Sequence, residues 1–284
     1  MDSVVSMKRI ATLGPPGTFS ARATSQYIAA QNEPYEVEYF SSIGGALKAI
    51  GGSCEIGVLP IENFSEGFIP LVLDHLVNAD LVIVGEVILP IKFSLVSTSS
   101  EISEINQLFV QFVAKGQCSQ FIETLGEILI VTTESNMESL DRARCAAGNS
   151  AAIVPSNSFC SGVFTIVVEN IHDYKNNQTR FLVFSGREVI AEDSGERDYK
   201  TSIIVLDDND HPGLLGEILA SFSKRKINLT SIISRPTCTE FGKYHFFIDF
   251  DGHIRDSEVS GALKEIDKIN KVKIIGSYPK GKVV

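Results

Sequence analysis

Cysteine is sparse in this 284-residue chain, and what there is does not cluster. Cys54, Cys118, Cys145, Cys160 and Cys238 are odd in number and widely spaced; they form no CxxC pair and no zinc-ligand array with the five scattered histidines. A disulfide framework and a bound metal are therefore not expected, and a reducing cytoplasm is. Positive charge is also thin. Lys and Arg number 25 against 35 Asp and Glu, a formal net charge of −10 with no basic block, which disfavours nucleic acid and anionic lipid as partners and favours a small-molecule role. Long apolar runs are missing as well. The longest, residues 81–91, is broken by Gly85, Glu86 and Pro90, well short of the roughly 20 residues of a membrane helix. Residues 1–8 have no apolar core of signal-peptide length, so neither a membrane span nor export is expected.

What is present is enough apolar material, 44% of residues, for a substantial core, and a length that favours about two domains. Before residue 186, β-rich runs at 9–13, 36–40, 56–60, 81–89, 93–97, 128–132, 151–154 and 181–184 alternate with helical periodicity at 20–30, 43–50, 70–77, 119–125 and 139–148. This alternation predicts an α/β architecture with ligands at strand ends. The charge-rich stretch 187–199 reads as a linker. Beyond it, strand 201–206, helix 212–226, strands 229–235 and 244–250, helix 256–269 and strand 272–275 follow a βαββαβ order. Such an order is ferredoxin-like, a four-stranded antiparallel sheet with two helices on one face.

Three stretches carry side chains suited to chemistry. Gly14-Pro15-Pro16-Gly17-Thr18-Phe19-Ser20 leads from a strand into a helix, where free N–H groups, the helix dipole and the hydroxyls of Thr18 and Ser20 favour a carboxylate; an ordinary Gly/Pro turn with Ser/Thr capping fits the same residues. It lacks the lysine of a Walker loop and the spacing of a dinucleotide fingerprint. Pro60-Ile61-Glu62-Asn63-Phe64-Ser65-Glu66-Gly67 places polar groups at the end of an apolar strand. There Asn63 can donate and accept at once and Glu62 can orient a partner, while a capping turn is the plainer reading. In His172-Asp173-Tyr174-Lys175-Asn176-Asn177-Gln178-Thr179-Arg180-Phe181, Thr179 alone reads as a β-former and Arg180 as a paired or solvated charge.

Taken together and in this order, the GPPGTFS turn, the PIEN…EG turn and the DxxxNxTRF segment resemble the marks of the prephenate dehydratase family. Asp210-His211-Pro212-Gly213-Leu214-Leu215-Gly216, Ser234-Arg235-Pro236, Phe250-Asp251-Gly252-His253 and Gly276-Ser277-Tyr278-Pro279 resemble the ACT domain that follows this catalytic module in the same family. The resemblance implies a two-lobed catalytic domain, 8–186, of the type 2 periplasmic-binding-protein class. One lobe would comprise 8–88 plus 174–186 and the other 89–173, with the linker at 187–199 and the ACT domain at 200–280. It implies decarboxylating dehydration of prephenate to phenylpyruvate, without redox cofactor or metal, in the cytoplasm. Thr179 would act as hydrogen-bond donor to the departing hydroxyl, Asn63 and Asn177 would fix the substrate or Thr179, and Glu62 would orient a partner. Gly17, Thr18, Phe19, Ser20, Ser65, Arg180 and Phe181 would contact the substrate, Arg180 either offsetting its charge or simply bracing the lobe. Phenylalanine would bind as effector between Asp210, His211, Pro212, Gly213, Leu214 and Leu215 of one chain and Ile233, Ser234, Arg235 and Pro236 of its neighbour in a homodimer or homotetramer.

The chain departs from the family pattern at four places. Phe64 stands where serine is usual, 112–118 has no His-Pro, Ser135-Asn136-Met137 stands for Ser-Thr-Ala, and Ile233 stands for glutamate. Arogenate dehydration or prephenate decarboxylation on the same scaffold, or a non-catalytic amino-acid sensor, are the alternatives at this stage.

Overall fold

The structure, a computed structural model, describes residues 7–282 except 32, 147, 161, 187–197 and 207. Most of the expected linker, 187–199, lies outside the described residues. The chain opens with β1 (Lys8–Leu13), α1 (Phe19–Ala29), β2 (Tyr35–Phe40), α2 (Ile43–Ala49), β3 (Ile56–Asn63), the short β4 (Gly67–Phe68), α3 (Pro70–Asn78) and β5 (Val82–Pro90). It continues into β6 (Phe93–Ser97), β7 (Gln107–Gln111), α4 (Phe112–Gln117), α5 (Ser119–Thr124), β8 (Leu129–Thr133), α6 (Asn136–Cys145), β9 (Ser150–Pro155) and β10 (Ile166–Val168), then returns in β11 (Gln178–Ser185). Last come β12 (Tyr199–Val205), α7 (Leu214–Ser223), β13 (Leu229–Pro236), β14 (Tyr244–Asp251), α8 (Ser257–Ile266) and β15 (Val272–Pro279).

These strands form three sheets. The first has the order β2-β1-β3-β11-β5 with β4 paired to β3, the second β10-β6-β9-β7-β8, and the third β13-β14-β12-β15. The fold is therefore α/β with a following antiparallel ferredoxin-like unit, as the alternation of periods predicts, and its first part forms two lobes on separate sheets, as the family resemblance implies. β11 is the return stroke: it lies antiparallel between β3 and β5 although more than eighty residues separate it from either. The two segments that pass between the first and second sheets are tied to each other, Ile91 N donating to Asn177 O at 2.9 Å and Ile171 N to Phe93 O at 3.1 Å.

Local sequence accounts for most elements. Thr18, Ser42 and Ser135 each accept a hydrogen bond from the first turn of α1, α2 and α6, and Pro70 opens α3 where its missing N–H costs nothing. Every residue of β9 is buried, as expected of a strand covered on both faces. Four pieces escape the sequence reading, the two-residue β4 among them. β7 and α4 run on without a turn signal between them, and β10 is three residues long, below the length at which a period of two can be recognised.

The first sheet has two different faces. Ile10, Val58, Phe181 and Val183 pack under α1 through Ala23, while Ala11, Leu59, Leu182 and Phe184 face α2, α3 and the third sheet. Ile204, Phe247, Ile275 and Tyr278 of the third sheet enter that same cluster beside Leu73 and Leu76; the opposite face of the third sheet is covered by α7 and α8 through Ile218, Phe222, Val259 and Ile266. The third sheet is thus sandwiched, and its non-helical face completes the core of the first lobe. Phe247→Ala should accordingly lower the stability of the whole chain by about 3–5 kcal/mol, read as a shift of the urea midpoint recorded on both far-ultraviolet dichroism and tyrosine fluorescence; a change confined to part of the transition would contradict the shared core.

Candidate active site

A cavity of about 350 Å3 opens between the first and second sheets. The first lobe contributes Thr18, Phe19 and Ser20 from the start of α1, Asn63 and Glu66 after β3, and Thr179 and Phe181 from β11; the second contributes Gln111, Ala114 and Gln117 around α4 and Glu134, Ser135 and Asn136 before α6. Phe93, from the segment joining the lobes, stands edge-on to Phe19 with ring centroids 5.4 Å apart and makes one wall apolar. Glu66 and Glu134 are the charged side chains on the lining, and among the described residues no Lys or Arg joins them. Positive potential comes instead from backbone. α1 and α6, eleven and ten residues long, both begin at this cavity, so two helix N-termini with unpaired N–H groups address it from opposite lobes.

Thr179 and Asn63 meet across paired strands. The β11–β3 register sets Thr179 opposite Asn63 and Arg180 opposite Glu62. Asn63 Nδ2 donates to Thr179 Oγ1 at 2.8 Å. The amide is oriented by its other end, where Asn63 Oδ1 accepts from Ser65 N at 2.9 Å, Ser65 Oγ at 2.8 Å and Glu66 N at 3.2 Å. With its oxygen so committed, the amide presents N–H to Thr179, and the threonine hydroxyl, an acceptor here, keeps its own proton for another partner. Gln117 extends the chain of bonds across the lobes, its Nε2 reaching Asn63 Oδ1 at 3.5 Å and its Oε1 accepting from Asn177 Nδ2 at 2.9 Å. All four side chains are buried.

The structure distributes the sequence-expected residues unevenly. Thr18, Phe19, Ser20, Asn63, Thr179 and Phe181 line the cavity. Ser65 and Asn177 stand one bond behind it, and Gly17 does not line it but faces the other lobe, where a Cβ would come within 2.9 Å of Met137 Sδ. Its φ of +89° independently calls for glycine. Asp173 caps α5, accepting from Ser119 N, Ser119 Oγ and Gln120 N at 2.7–3.1 Å. Two expectations are corrected. Glu62 and Arg180 do not reach the cavity; strand alternation turns both to the opposite face of the first sheet, toward the third. Gln111, Glu134 and Asn136 carry no role in the sequence reading, although each sits at or just after a strand end, the signal that finds such residues; Gln117, at the close of α4, has no such signal.

On that opposite face Arg180 is almost enclosed. Its Nε donates to Glu86 Oε2 at 2.7 Å, Nη1 to Asp249 Oδ2 at 2.6 Å and Nη2 to Tyr278 Oη at 2.8 Å. Burial pushes the Glu86 carboxyl up, but Arg180 and Lys200 outweigh it and hold the group below its usual value. Glu62, 3.8 Å from Arg180, goes the other way, burial raising it despite the guanidinium. Burial also raises the Tyr278 hydroxyl, which stays protonated.

The expected effector residues are split by the third sheet. Gly213 opens α7 in the left-handed region with φ +97°, and Leu214 is buried on the helical face while Ile233 packs on the other. Asp210 pairs with Lys243 at 3.3 Å, and His211 with Glu217 at 3.4 Å. Arg235, instead of standing free, forms a two-pronged pair with Asp74 of α3, Nε to Oδ1 at 2.8 Å and Nη2 to Oδ2 at 2.7 Å.

The Glu86 shift fixes a sign. A carboxyl depressed in the folded state contributes stability that is fully present above its unfolded value of 4.5 and is lost as pH falls below that through the folded value. Urea midpoints taken downward from pH 4.5 should therefore fall less steeply for Glu86→Gln than for the wild type, with the variant less stable at neutral pH; parallel slopes would show that the carboxylate is not held down.

A family profile for prephenate dehydratase matches residues 10–189, and one for the ACT domain matches 202–268. The bifunctional chorismate mutase/prephenate dehydratase of Aquifex aeolicus is 31% identical over 277 residues, covering 96% of this chain and 74% of that protein. The prephenate dehydratase of Methanocaldococcus jannaschii is 32% identical over 273 residues, 93% of this chain and 96% of that protein. The crystal structure of the Arthrobacter aurescens prephenate dehydratase in complex with L-Phe superimposes with a TM-score of 0.82 at 31% identity, covering 95% of this chain and 90% of that one. Since the first profile spans the two lobes that enclose Thr179 and Asn63, and the second runs from β12 through α8 of the unit that holds Arg180 from behind, the chain belongs to the prephenate dehydratase family and carries that family's ACT domain.

Proposed function

We propose that the chain converts prephenate to phenylpyruvate, releasing carbon dioxide and water, in the cytoplasm, under feedback by phenylalanine. The observation that carries the reading is the Asn63–Thr179 bond of 2.8 Å at the cavity wall. Prephenate is poised to become aromatic, so the reaction is downhill and needs neither redox cofactor nor metal; what it needs is help for a poor leaving group. A threonine hydroxyl whose lone pair is engaged by Asn63 aims its proton at the cavity, where it stabilises charge growing on the departing oxygen. General-acid assistance of this kind contributes about 10²–10⁴ in rate. Threonine is too weak an acid to titrate near neutrality, so its proton moves only as the carbon–oxygen bond breaks.

Binding would use what the cavity has. The two carboxylates of prephenate would meet the N-termini of α1 and α6, with Thr18, Ser20, Ser135 and Asn136 as side-chain partners. The ring would lie against Phe19, Phe93 and Phe181. Removing water from around the substrate as the lobes meet at Gly17 and Met137 would favour loss of carbon dioxide. Glu62 and Arg180 take no part at the substrate. In this reading the lobes are 8–88 plus 174–186 and 89–173, the ACT domain is 200–280, and the turn at Asp210–Leu215 of one chain faces the β13 end, Ile233–Pro236, of another in a dimer or tetramer, with phenylalanine between them. The Arthrobacter relative, described with L-Phe bound, supports that effector.

Thr179→Ala should fold normally and lose about 100-fold or more in kcat with little change in KM, because the bond it removes strengthens only in the transition state. Phenylpyruvate formation from prephenate measures it, and turnover near wild type would remove Thr179 from the mechanism.

A further inference from the structure

Thr179 and Arg180 are neighbours on β11, so the pleat that sends the first to the cavity sends the second to the third sheet. The pairing of β11 with β3 slips between Arg180 and Phe181, where β3 carries the extra residue, Ile61, while β11 stays in step with β5 from Gln178 to Val183. A bulge bends the strand that carries it, here β3 two residues before Asn63. On β11 the neighbour of Thr179, Arg180, is held by the third sheet. Asp249 on β14 and Tyr278 on β15 take two of its nitrogens, and Ser202 on β12 ties them together, its Oγ donating to Asp249 Oδ1 at 2.5 Å and lying 2.7 Å from Tyr278 Oη. Glu86, its third partner, is itself gripped by Lys200 Nζ at 3.0 Å and by Gly281 N at 2.9 Å. Asn63, the other half of the catalytic pair, is held from the same side. It precedes α3, whose Asp74 is bound by Arg235 and whose last carbonyls, Leu76, Val77 and Ala79, accept from Lys273 Nζ at 2.6–3.2 Å.

We infer that Arg180 is a positioning residue through which the ACT domain aims Thr179 at the leaving hydroxyl, so that turnover depends on how the third sheet is docked. The inference deepens the dehydratase reading and rests on it. Displacement of reacting groups by about 1 Å costs on the order of 100-fold in rate, so a small shift of β14 or β15 is enough to regulate through this path. Arginine is needed because a planar fork reaches three acceptors at once, which the single ammonium of lysine does not.

The test compares wild type, Arg180→Lys, Asp249→Asn and Tyr278→Phe in the full-length chain, well below their melting temperatures, with Glu265→Gln as control for an ACT pair on the helical side. Expected is a fall in kcat of about 10–100-fold for Arg180→Lys and Asp249→Asn with KM within about twofold, a smaller fall for Tyr278→Phe, and unchanged turnover for the control. Phenylalanine should still bind Asp249→Asn by calorimetry while inhibiting it less. Wild-type kcat in all three docking variants, or losses that appear as KM alone, would overturn the positioning role and leave the dehydratase standing. Should Arg180→Lys or Asp249→Asn fail to fold, Tyr278→Phe, which deletes one oxygen and keeps the ring, decides alone. No phenylpyruvate from the wild type would instead overturn the dehydratase reading, and the inference with it.

Discussion

One strand with two faces organises this molecule. β11 returns from the second lobe to lie between β3 and β5, and its pleat divides Thr179, Phe181 and Val183 from Arg180, Leu182 and Phe184. The first set meets the cavity and α1, the second α3 and the third sheet. Because side chains alternate with a period of two, neither set can move without the other. The cavity-facing hydroxyl of Thr179 and the third sheet are thus connected by a single peptide unit, a shorter link than any chain of side chains could provide.

The cavity handles charge in an economical way. A doubly anionic substrate is expected there, yet the lining offers Glu66 and Glu134 and, among the described residues, no cation. Arg180 is close in sequence, but it is spent on Glu86 and Asp249 behind the sheet. Two helix N-termini are a sufficient replacement, because each concentrates about half a positive charge and several N–H donors without introducing a side chain that would pair with Glu66 or Glu134 instead. The threonine hydroxyl likewise has its direction set by placement, since Asn63 occupies one of its lone pairs and leaves its proton for another partner.

The ACT sheet has an unusual load on its open face. Ile204, Phe247, Ile275 and Tyr278 finish the hydrophobic core of the first lobe, and polar groups from β12, β14 and β15 surround Arg180 in the middle of that apolar contact. A buried ion cluster of this kind adds little net stability, since desolvation offsets its Coulomb energy, but it penalises any docking that leaves a charge unpaired. That makes it suited to fixing one register between the two units.

Much of this was legible in the chain. The alternation of periods announced the α/β class and the βαββαβ unit, because local propensity and turn chemistry are properties of contiguous sequence, whereas Thr179, by itself a β-former, came forward with Thr18 and Asn63 only through the resemblance of three ordered motifs to a family. The same reading placed Glu62 and Arg180 at the substrate and passed over Gln117, Glu134 and Asn136. Which face of a strand looks inward follows from its neighbours, and β11 has different partners on its two sides. Sequence determined which residues stand side by side along each strand. Only the tertiary structure, by packing a third sheet against one face and a second lobe against the other, decided which of them line the cavity and which meet the ACT sheet.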